Sequence, residues 1–507
     1  MPYPEQALTA VLYLMWALLM MQLGHVLGRT LGMVGVAETL AWCVLAGGAV
    51  SAVIGVLQHY AFSTPLDFMV GRKGGPAVYG NLGQPNHYAA HLTLALAGAG
   101  YLYGCGRLAG ALAAPGAALL LLLMALSGSR SPWLYLGALA ALAVFLERCR
   151  RDAGSRRLAV YAVWLLPGFL AAQWVVALPL LQPEGGVQIS LQRLFGTATG
   201  IEARLQLLYE AWRLFLEAPL LGAGFGQFAW HHYAWSPPPD VAAAPGLFSH
   251  AHNIVLQLLA ESGLAGAVLV AAAALYWLAG LRRVAFDRER WWLLATLSVV
   301  AIHSGVEFPL WYAYFLGIAA VLLGVGATQV IALSFAMTRA LRLAAVAVLA
   351  IGWFYVAAIV APYRDFERLV FDARPDARPE DERAYADAIM RVHREPLLRP
   401  YVELAMTYAI TVSAQDLRQK LDLNTRVMRF APVAEVVYRQ ASLLALAGER
   451  AAALRQLDQA ARAYPRELDD AAAQLRSAAA RQPGAFLPLL ELAAARSAEL
   501  RARGGAR

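Results

Sequence analysis

Charge is what this sequence has least of. Asp, Glu, Lys and Arg make up 15% of its 507 residues, and 59% are hydrophobic, where a soluble domain carries about 25% charged residues. A Lys, Arg or Asp at the centre of a bilayer costs roughly 2.5–3.5 kcal/mol, so nearly charge-free stretches of ~20 residues read as membrane spans. Such stretches lie near Ala7–Gly24, Val34–Leu57, Tyr88–Tyr103, Ala109–Leu126, Trp133–Leu146, Leu158–Leu181, Ile254–Gly280, Trp291–Val306, Trp311–Phe335 and Leu343–Ala361. Glu38 and Glu261 are the only charges inside them. Each helix of a soluble bundle needs a polar stripe, and these segments lack one. The composition therefore predicts an all-α, polytopic membrane protein with about ten or more transmembrane helices.

Cysteine is scarce as well. Cys43, Cys105 and Cys149 fall in spans or in loops on the inner side, with no metal-type spacing. That excludes a disulfide framework and leaves them as small apolar fillers. The loops between spans also lack a DxD motif and any carboxylate pair, so the sequence predicts neither a metal nor another cofactor.

The net charge of +8 would suit nucleic acid, but its distribution argues against that partner. Arg148, Arg150, Arg151, Arg156 and Arg157 crowd one short loop; Arg282, Arg283, Arg288 and Arg290 crowd another; Arg339 and Arg342 mark a third. Short arginine-rich loops mark the cytoplasmic side of a membrane. Arg29 and Arg107 fall on that side too, while Arg72 and Lys73 are exceptions on the other. The scheme predicts residues 182–251 and 363–507 outside an inner membrane, and an outside N-terminus. There is no basic leader or cleavable signal, which leaves room for a further span upstream.

Four regions follow: spans at 1–181, a large outer loop at 182–252, further spans at 253–361 and an outer helical domain at 362–507. The loop opens on Pro183, Gly185 and Gly186. An amphipathic helix follows over Glu202–Glu217, with Leu205, Leu208, Trp212, Phe215 and Leu216 expected on one face. Then come the turn PLLGAGFGQF and a proline bend at Pro237–Pro239. In the last region, Ala441, Gly448, Ala453, Leu457, Ala460 and Pro465 fit a tetratricopeptide-like helix pair over Tyr438–Pro465.

Polar groups beside spans are costly and hence candidates for function. The sharpest cluster is SHAHN followed by GLAG, in which His252-Asn253 precedes Gly263 and Gly266 by a fixed spacing. His250 and His252 stand at the water–membrane junction, where a lone histidine more often caps a helix. SGSRSPWL puts Arg130 between two spans on the outer side, which calls for an anionic partner. Arg204 starts the amphipathic helix, though Arg193 serves equally in an argument from charge alone. GNLGQPNHYAA gathers Asn81, Gln84, Asn86 and His87; turn chemistry accounts for Asn81 and Asn86 better than for Gln84 and His87. Glu307 in HSGVEFPLWYAYF is an outer acid suited to pairing with an arginine.

Together SGSRSPWL, the Arg204 helix running into PLLGAGFGQF, and the His252-Asn253/Gly263 register resemble the O-antigen ligase and polymerase superfamily. GNLGQPNHYA, EFPLWYAYF and the outer helical domain look most like its PglL-type protein O-oligosaccharyltransferases. The resemblance runs from about Gln58 into the C-terminal domain; the chain departs from it in its short N-terminal span set and in Phe308, where a tyrosine is often found.

It implies a GT-C-like glycosyltransferase that moves a preassembled glycan from undecaprenyl pyrophosphate to a hydroxyl on the periplasmic side of the inner membrane. The resemblance assigns His252 as the base and Arg130 and Arg204 as the pyrophosphate clamp. Gln84, Asn81, Asn86, His87, His250, Asn253, Glu307 and Tyr312 are the expected substrate-binding residues. The transfer is expected to be metal-independent and inverting. The partners are then the lipid-linked oligosaccharide, the bilayer and a pilin or other periplasmic protein. A lipid A core sugar or a growing glycan chain stays open as acceptor, although a tetratricopeptide-like surface favours protein. A lipid-linked-sugar flippase would place its polar groups near the midplane, and a scaffold would leave Arg130, Arg204 and His252 unexplained.

Overall fold

The computed structural model describes residues 3–178 apart from 66 and 72, then 199–235, 246–328, 334–371 and 387–504. Arg72, Arg193 and the proline and glycine punctuation at Pro183–Gly186 and Pro237–Pro239 lie outside the described residues. Every regular element among the described residues is helical, as the charge-free pattern implies.

The first half holds α1 (Pro4–Thr30), α2 (Gly32–His59), α3 (Pro85–Gly104), α4 (Gly110–Leu126), α5 (Pro132–Arg150) and α6 (Ala153–Val176). Local chemistry sets several of these starts. Proline opens α3 and α5 where no backbone donor is needed, and Asp152 caps α6 by accepting from the Gly154 and Ser155 amides. The packing centres on α3, which is buried almost throughout and is surrounded by α2, α4, α5 and α6.

The second half begins with α7 (Thr199–Glu217) and the short α8 (Phe228–Ala234), and then returns to the bundle as α9 (Ile254–Leu281), α10 (Arg288–Val306), α11 (Ala313–Val325) and α12 (Phe335–Phe371). Helices α1, α2, α5, α6, α9 and α12 are long and apolar enough to cross a membrane; α4 and α11 are apolar but shorter. The run Trp311–Phe335 is not one helix. Pro309–Trp311 forms a 3-10 turn, and α11 stops at Val325, so its 13 residues reach only about 20 Å. It leans on α1, where Gly24 and Gly324 let the two backbones touch; a Cβ on Gly24 would lie 2.0 Å from the Val321 carbonyl oxygen.

At one end of the bundle the arginine-rich loops are tied together. Arg107 pairs with Glu38 at 3.2 Å and Arg288 with Asp152 at 3.5 Å, while Arg157 and Arg288 both donate to the Gly104 carbonyl. The polar cluster described below lies at the opposite end.

The amphipathic α7 differs from its expected pattern. Its buried face is Leu207, Ala211, Leu214 and Phe215, whereas Leu205, Trp212 and Leu216 are exposed together with Tyr209. The helix thus has a second apolar face, continuous through exposed Leu220 and Leu221 with α9, to which the Leu220 carbonyl is bonded. Paired apolar faces of this kind suit a helix that lies in a membrane interface.

Beyond α12, helices α13 (Arg399–Tyr408), α14 (Leu417–Phe430), α15 (Ala434–Leu446), α16 (Arg450–Ala463), α17 (Leu468–Arg481) and α18 (Pro483–Gly504) stack as neighbouring pairs. The pair α15–α16 is the one legible in the sequence: Gly448 turns the chain at φ +79°, and Ala441, Ala453, Leu457 and Ala460 are buried between the helices. This domain is anchored to the rest of the chain at several points. Tyr233 of α8 joins its core and accepts a hydrogen bond from Gln456 at 2.7 Å. At the start of α1, the Tyr3 hydroxyl donates to Glu403 at 2.6 Å and Glu5 pairs with Arg399 at 2.8 Å.

Candidate active site

Glu307 follows the last turn of α10, in extended backbone, with its amide bonded to the His303 carbonyl. Its side chain is 4% exposed and has three partners. One carboxylate oxygen, Oε1, accepts from Arg204 Nη2 at 2.6 Å and from Asn86 Nδ2 at 2.8 Å. The other, Oε2, lies 3.5 Å from His252 Nε2. A buried carboxylate demands such partners, because leaving it alone is strongly destabilising.

Each partner is positioned by its own local structure. Asn86 sits in the first turn of α3, where Gln84 caps the helix by accepting from the His87 amide at 2.7 Å. Asn86 Oδ1 accepts from Ser129 Oγ at 2.7 Å, so the α4–α5 turn is drawn into the cluster. Arg130, next to Ser129, is half-buried in that turn. Arg204 comes from the first turns of α7, one face of which is packed against α9.

His252 has φ +55°, a left-handed conformation uncommon for a residue with a Cβ. Such strain persists where the surroundings enforce it, and Asn253 supplies that constraint. It caps α9 through the Val255 and Leu256 amides and donates from Nδ2 to the Gly305 carbonyl at 3.1 Å. His252 Nδ1 lies 3.2 Å from the His250 carbonyl. With the proton on Nδ1, Nε2 keeps its lone pair on the Glu307 side. Burial holds His252 below the ordinary imidazole range; the Arg204 charge acts the same way and Glu307 opposes both. That direction favours the neutral imidazole, the form able to accept a proton. His250 is stacked on Phe308 at 4.2 Å and edge-on to Trp311 at 4.7 Å, and burial, with the His252 charge, pushes it down to about 4.

The spacing from His252-Asn253 to Gly263 also has a structural basis. Gly263 interrupts α9 with φ 62° and ψ −163°, and the turn after α7 enters the break. The Leu264 and Ala265 amides donate to the Pro219 and Leu220 carbonyls, and the Ala223 and Gly224 amides donate to those of Ala260 and Glu261. A Cβ on Gly263 would lie 2.4 Å from Leu220 C, and one on Gly222 2.3 Å from Glu261 C. Both glycines are required by this backbone contact, which locks the Arg204 helix to the helix behind His252.

Thus Asn86, Arg204, His252, Asn253 and Glu307 come together, with Arg130 and His250 alongside. Asn81 is exposed, and Gln84 is occupied in capping. His87 is buried among Tyr312, Tyr314 and Phe315, with Nδ1 2.7 Å from the Tyr314 hydroxyl. Tyr312 stands at the rim, 36% exposed, beside Phe308. The sequence reading passed over two residues. Ser129 lies inside the SGSRSPWL motif, beside the more conspicuous Arg130. Gln58 ends a charge-free span and fastens the 71–80 loop through the Gly71 and Gly80 carbonyls and the Tyr79 and Gly80 amides; a buried polar residue at a span's end was its signal.

The fold and the cluster define a polytopic helical membrane protein with a basic and imidazole-bearing centre at one end of its bundle. Three family models match successive stretches: protein glycosylation ligase over residues 78–103, O-antigen ligase over 115–271, and virulence factor membrane-bound polymerase, C-terminal, over 291–478. The general O-oligosaccharyltransferase of Acinetobacter baylyi is 28% identical over 250 residues, covering 47% of this chain and 41% of that relative. The chain therefore matches less than half of the relative's length. The chain is similar to the PglL-type protein O-oligosaccharyltransferases and O-antigen ligases, as its motifs imply. Asn86 falls in the first matched stretch, Arg130, Arg204 and His252 in the second, and Glu307 in the third, so the cluster joins all three.

Proposed function

We propose that the chain transfers a glycan en bloc from undecaprenyl pyrophosphate to a Ser or Thr hydroxyl of a periplasmic protein such as pilin, at the outer face of the inner membrane. The observation that carries this reading is the Glu307 carboxylate linking Arg204 and His252. Breaking the glycosidic bond leaves negative charge on the pyrophosphate. Arg204 and Arg130 offer planar forks of donors for its oxygens, and their hold strengthens as that charge grows. His252 Nε2 takes the proton from the acceptor hydroxyl. The imidazolium so formed faces Glu307, which offsets its charge. The hydroxyl attacks the sugar carbon on the face opposite the leaving pyrophosphate, so the transfer inverts that centre. The charge is handled by guanidinium groups and needs no metal. Asn86 also positions Glu307, and the C-terminal helical domain offers the surface for the acceptor protein.

The test is reconstitution of the purified chain in liposomes with lipid-linked oligosaccharide and a pilin peptide. Glycopeptide formed in EDTA supports the reading; lipid movement without transfer contradicts it. A second reading, glycan transfer to a growing glycan chain or a lipid A core sugar, is favoured by the polymerase match over 291–478 and the ligase match over 115–271. Elongated lipid-linked glycan or glycosylated core lipid in the same liposomes distinguishes it.

A further inference from the structure

A second polar feature lies on the other side of α7. A cavity of about 180 Å³ opens between α7 and α8, lined among others by Glu210, Arg213, Glu217, Phe228, His232 and Trp235. It is open on one side and large enough to admit a single sugar ring. Its floor is polar and buried: His232 Nδ1 lies 2.6 Å from Glu210 Oε2, with 7% and 5% of the side chains exposed. Its rim is charged and accessible, for Arg213 pairs with Glu217 at 3.1 Å while about half of each side chain is exposed. The Arg213 guanidinium also sits over the Trp235 ring, 5.8 Å from its centroid.

We propose that this cavity is a sugar subsite, holding one monosaccharide unit of the donor glycan beyond the unit that reacts. The inference rests on the reading of the chain as a glycan transferase. The chemistry suits a pyranose: an indole offers an apolar surface with a polar edge, while carboxylates accept from hydroxyls and a guanidinium donates to them. A few placed polar groups against aromatic walls are how small-ligand sites fix orientation. The location suits the donor, because Arg204 and the three charged cavity residues share one helix, so that the cavity is fixed relative to the proposed pyrophosphate clamp. Phe248 contacts both histidines, its ring centroid 5.4 Å from that of His232 and 6.2 Å from that of His252. The cavity wall at His232 thus lies near His252, the proposed base.

The test uses the full chain in detergent and in liposomes, with wild type, Trp235→Ala and Trp235→Phe. Equilibrium dialysis with the free trisaccharide cut from the lipid donor reads the subsite directly. Wild type binds, Trp235→Ala binds about tenfold more weakly, and Trp235→Phe stays within about threefold of wild type. In transfer assays Trp235→Ala raises KM for the lipid-linked trisaccharide about tenfold at unchanged kcat, and leaves KM for a lipid-linked monosaccharide alone. No trisaccharide binding by wild type, or equal effects on both donors, overturns the proposal. Trp235-dependent binding without transfer of either donor by wild type supports the subsite and contradicts the transferase reading instead.

Discussion

Glu307 divides its carboxylate between two residues that come from opposite sides of the outer loop: Oε1 is held by Arg204 at 2.6 Å, and Oε2 lies 3.5 Å from His252 Nε2. The two neighbours act on the histidine with opposite sign. Glu307 favours the imidazolium, and Arg204 disfavours it.

Opposite pH shifts follow for the two variants. Glu307→Gln removes the charge that raises the His252 pKa, so the acid limb of kcat/KM moves to lower pH. Arg204→Gln removes the charge that lowers it, so the limb moves to higher pH. Both variants lose about 10²-fold or more in rate, the scale of a misplaced acid–base group. Profiles of glycan transfer from pH 5 to 9 read both effects; shifts in the same direction count against the arrangement.

Asn86 and Ser129 act as one unit. Asn86→Ala releases Glu307 from α3 and lowers transfer about tenfold, while Ser129→Ala lowers it less. In the Asn86→Ala background the serine change adds little, so the coupling equals the serine's own effect, roughly 0.5 to 1.4 kcal/mol. A double-mutant cycle on kcat/KM measures it, and strictly additive losses contradict the hydrogen bond's role.

Gly263→Ala fails for a backbone reason. The position has φ 62° and ψ −163°, a region that is essentially glycine-only, and its Cβ would strike Leu220. The variant, like Gly222→Ala, accumulates less folded protein and unfolds at lower temperature. Gly352→Ala in α12, where a Cβ meets nothing within 4 Å, gains about 1 kcal/mol of helix propensity at most. Thermal unfolding of the three purified variants separates these outcomes.

Acid loosens the anchor between α1 and the C-terminal domain. Burial raises the Glu403 pKa, but the Tyr3 hydroxyl, His393 and Arg426 outweigh it and the net shift is downward. A depressed carboxyl contributes stability above its unfolded pKa of about 4.3 and loses it as pH falls through the folded value. The unfolding temperature of wild type therefore drops between about pH 5 and pH 3, and Glu403→Gln, less stable at neutral pH, shows a shallower drop. Equal slopes contradict the assignment.

Much of this was legible in the sequence for physical reasons. Exclusion of charge from a bilayer marks the spans directly, and Asn253 announces the start of α9 because its side chain caps the helix. What stayed hidden depends on distant partners. An arginine partner for Glu307 is legible, but Arg204 lies 103 residues from it and Asn86 221, so spacing does not say which arginine or that Asn86 joins it. Gly263 reads as a glycine in an apolar run until the Pro219–Gly224 turn is seen entering the break. The two apolar faces of α7 merge in a helical pattern, since hydrophobicity does not distinguish a side chain that packs on protein from one that faces lipid.

The central claim is that His252 takes the proton of the acceptor hydroxyl. Its most direct measurement is single-turnover glycopeptide formation by His252→Ala in liposomes, at protein levels matched to wild type and with EDTA present. His252→Ala loses about 10²–10⁴-fold in rate while lipid-linked oligosaccharide binding is retained. Transfer at the wild-type rate by His252→Ala would contradict the claim.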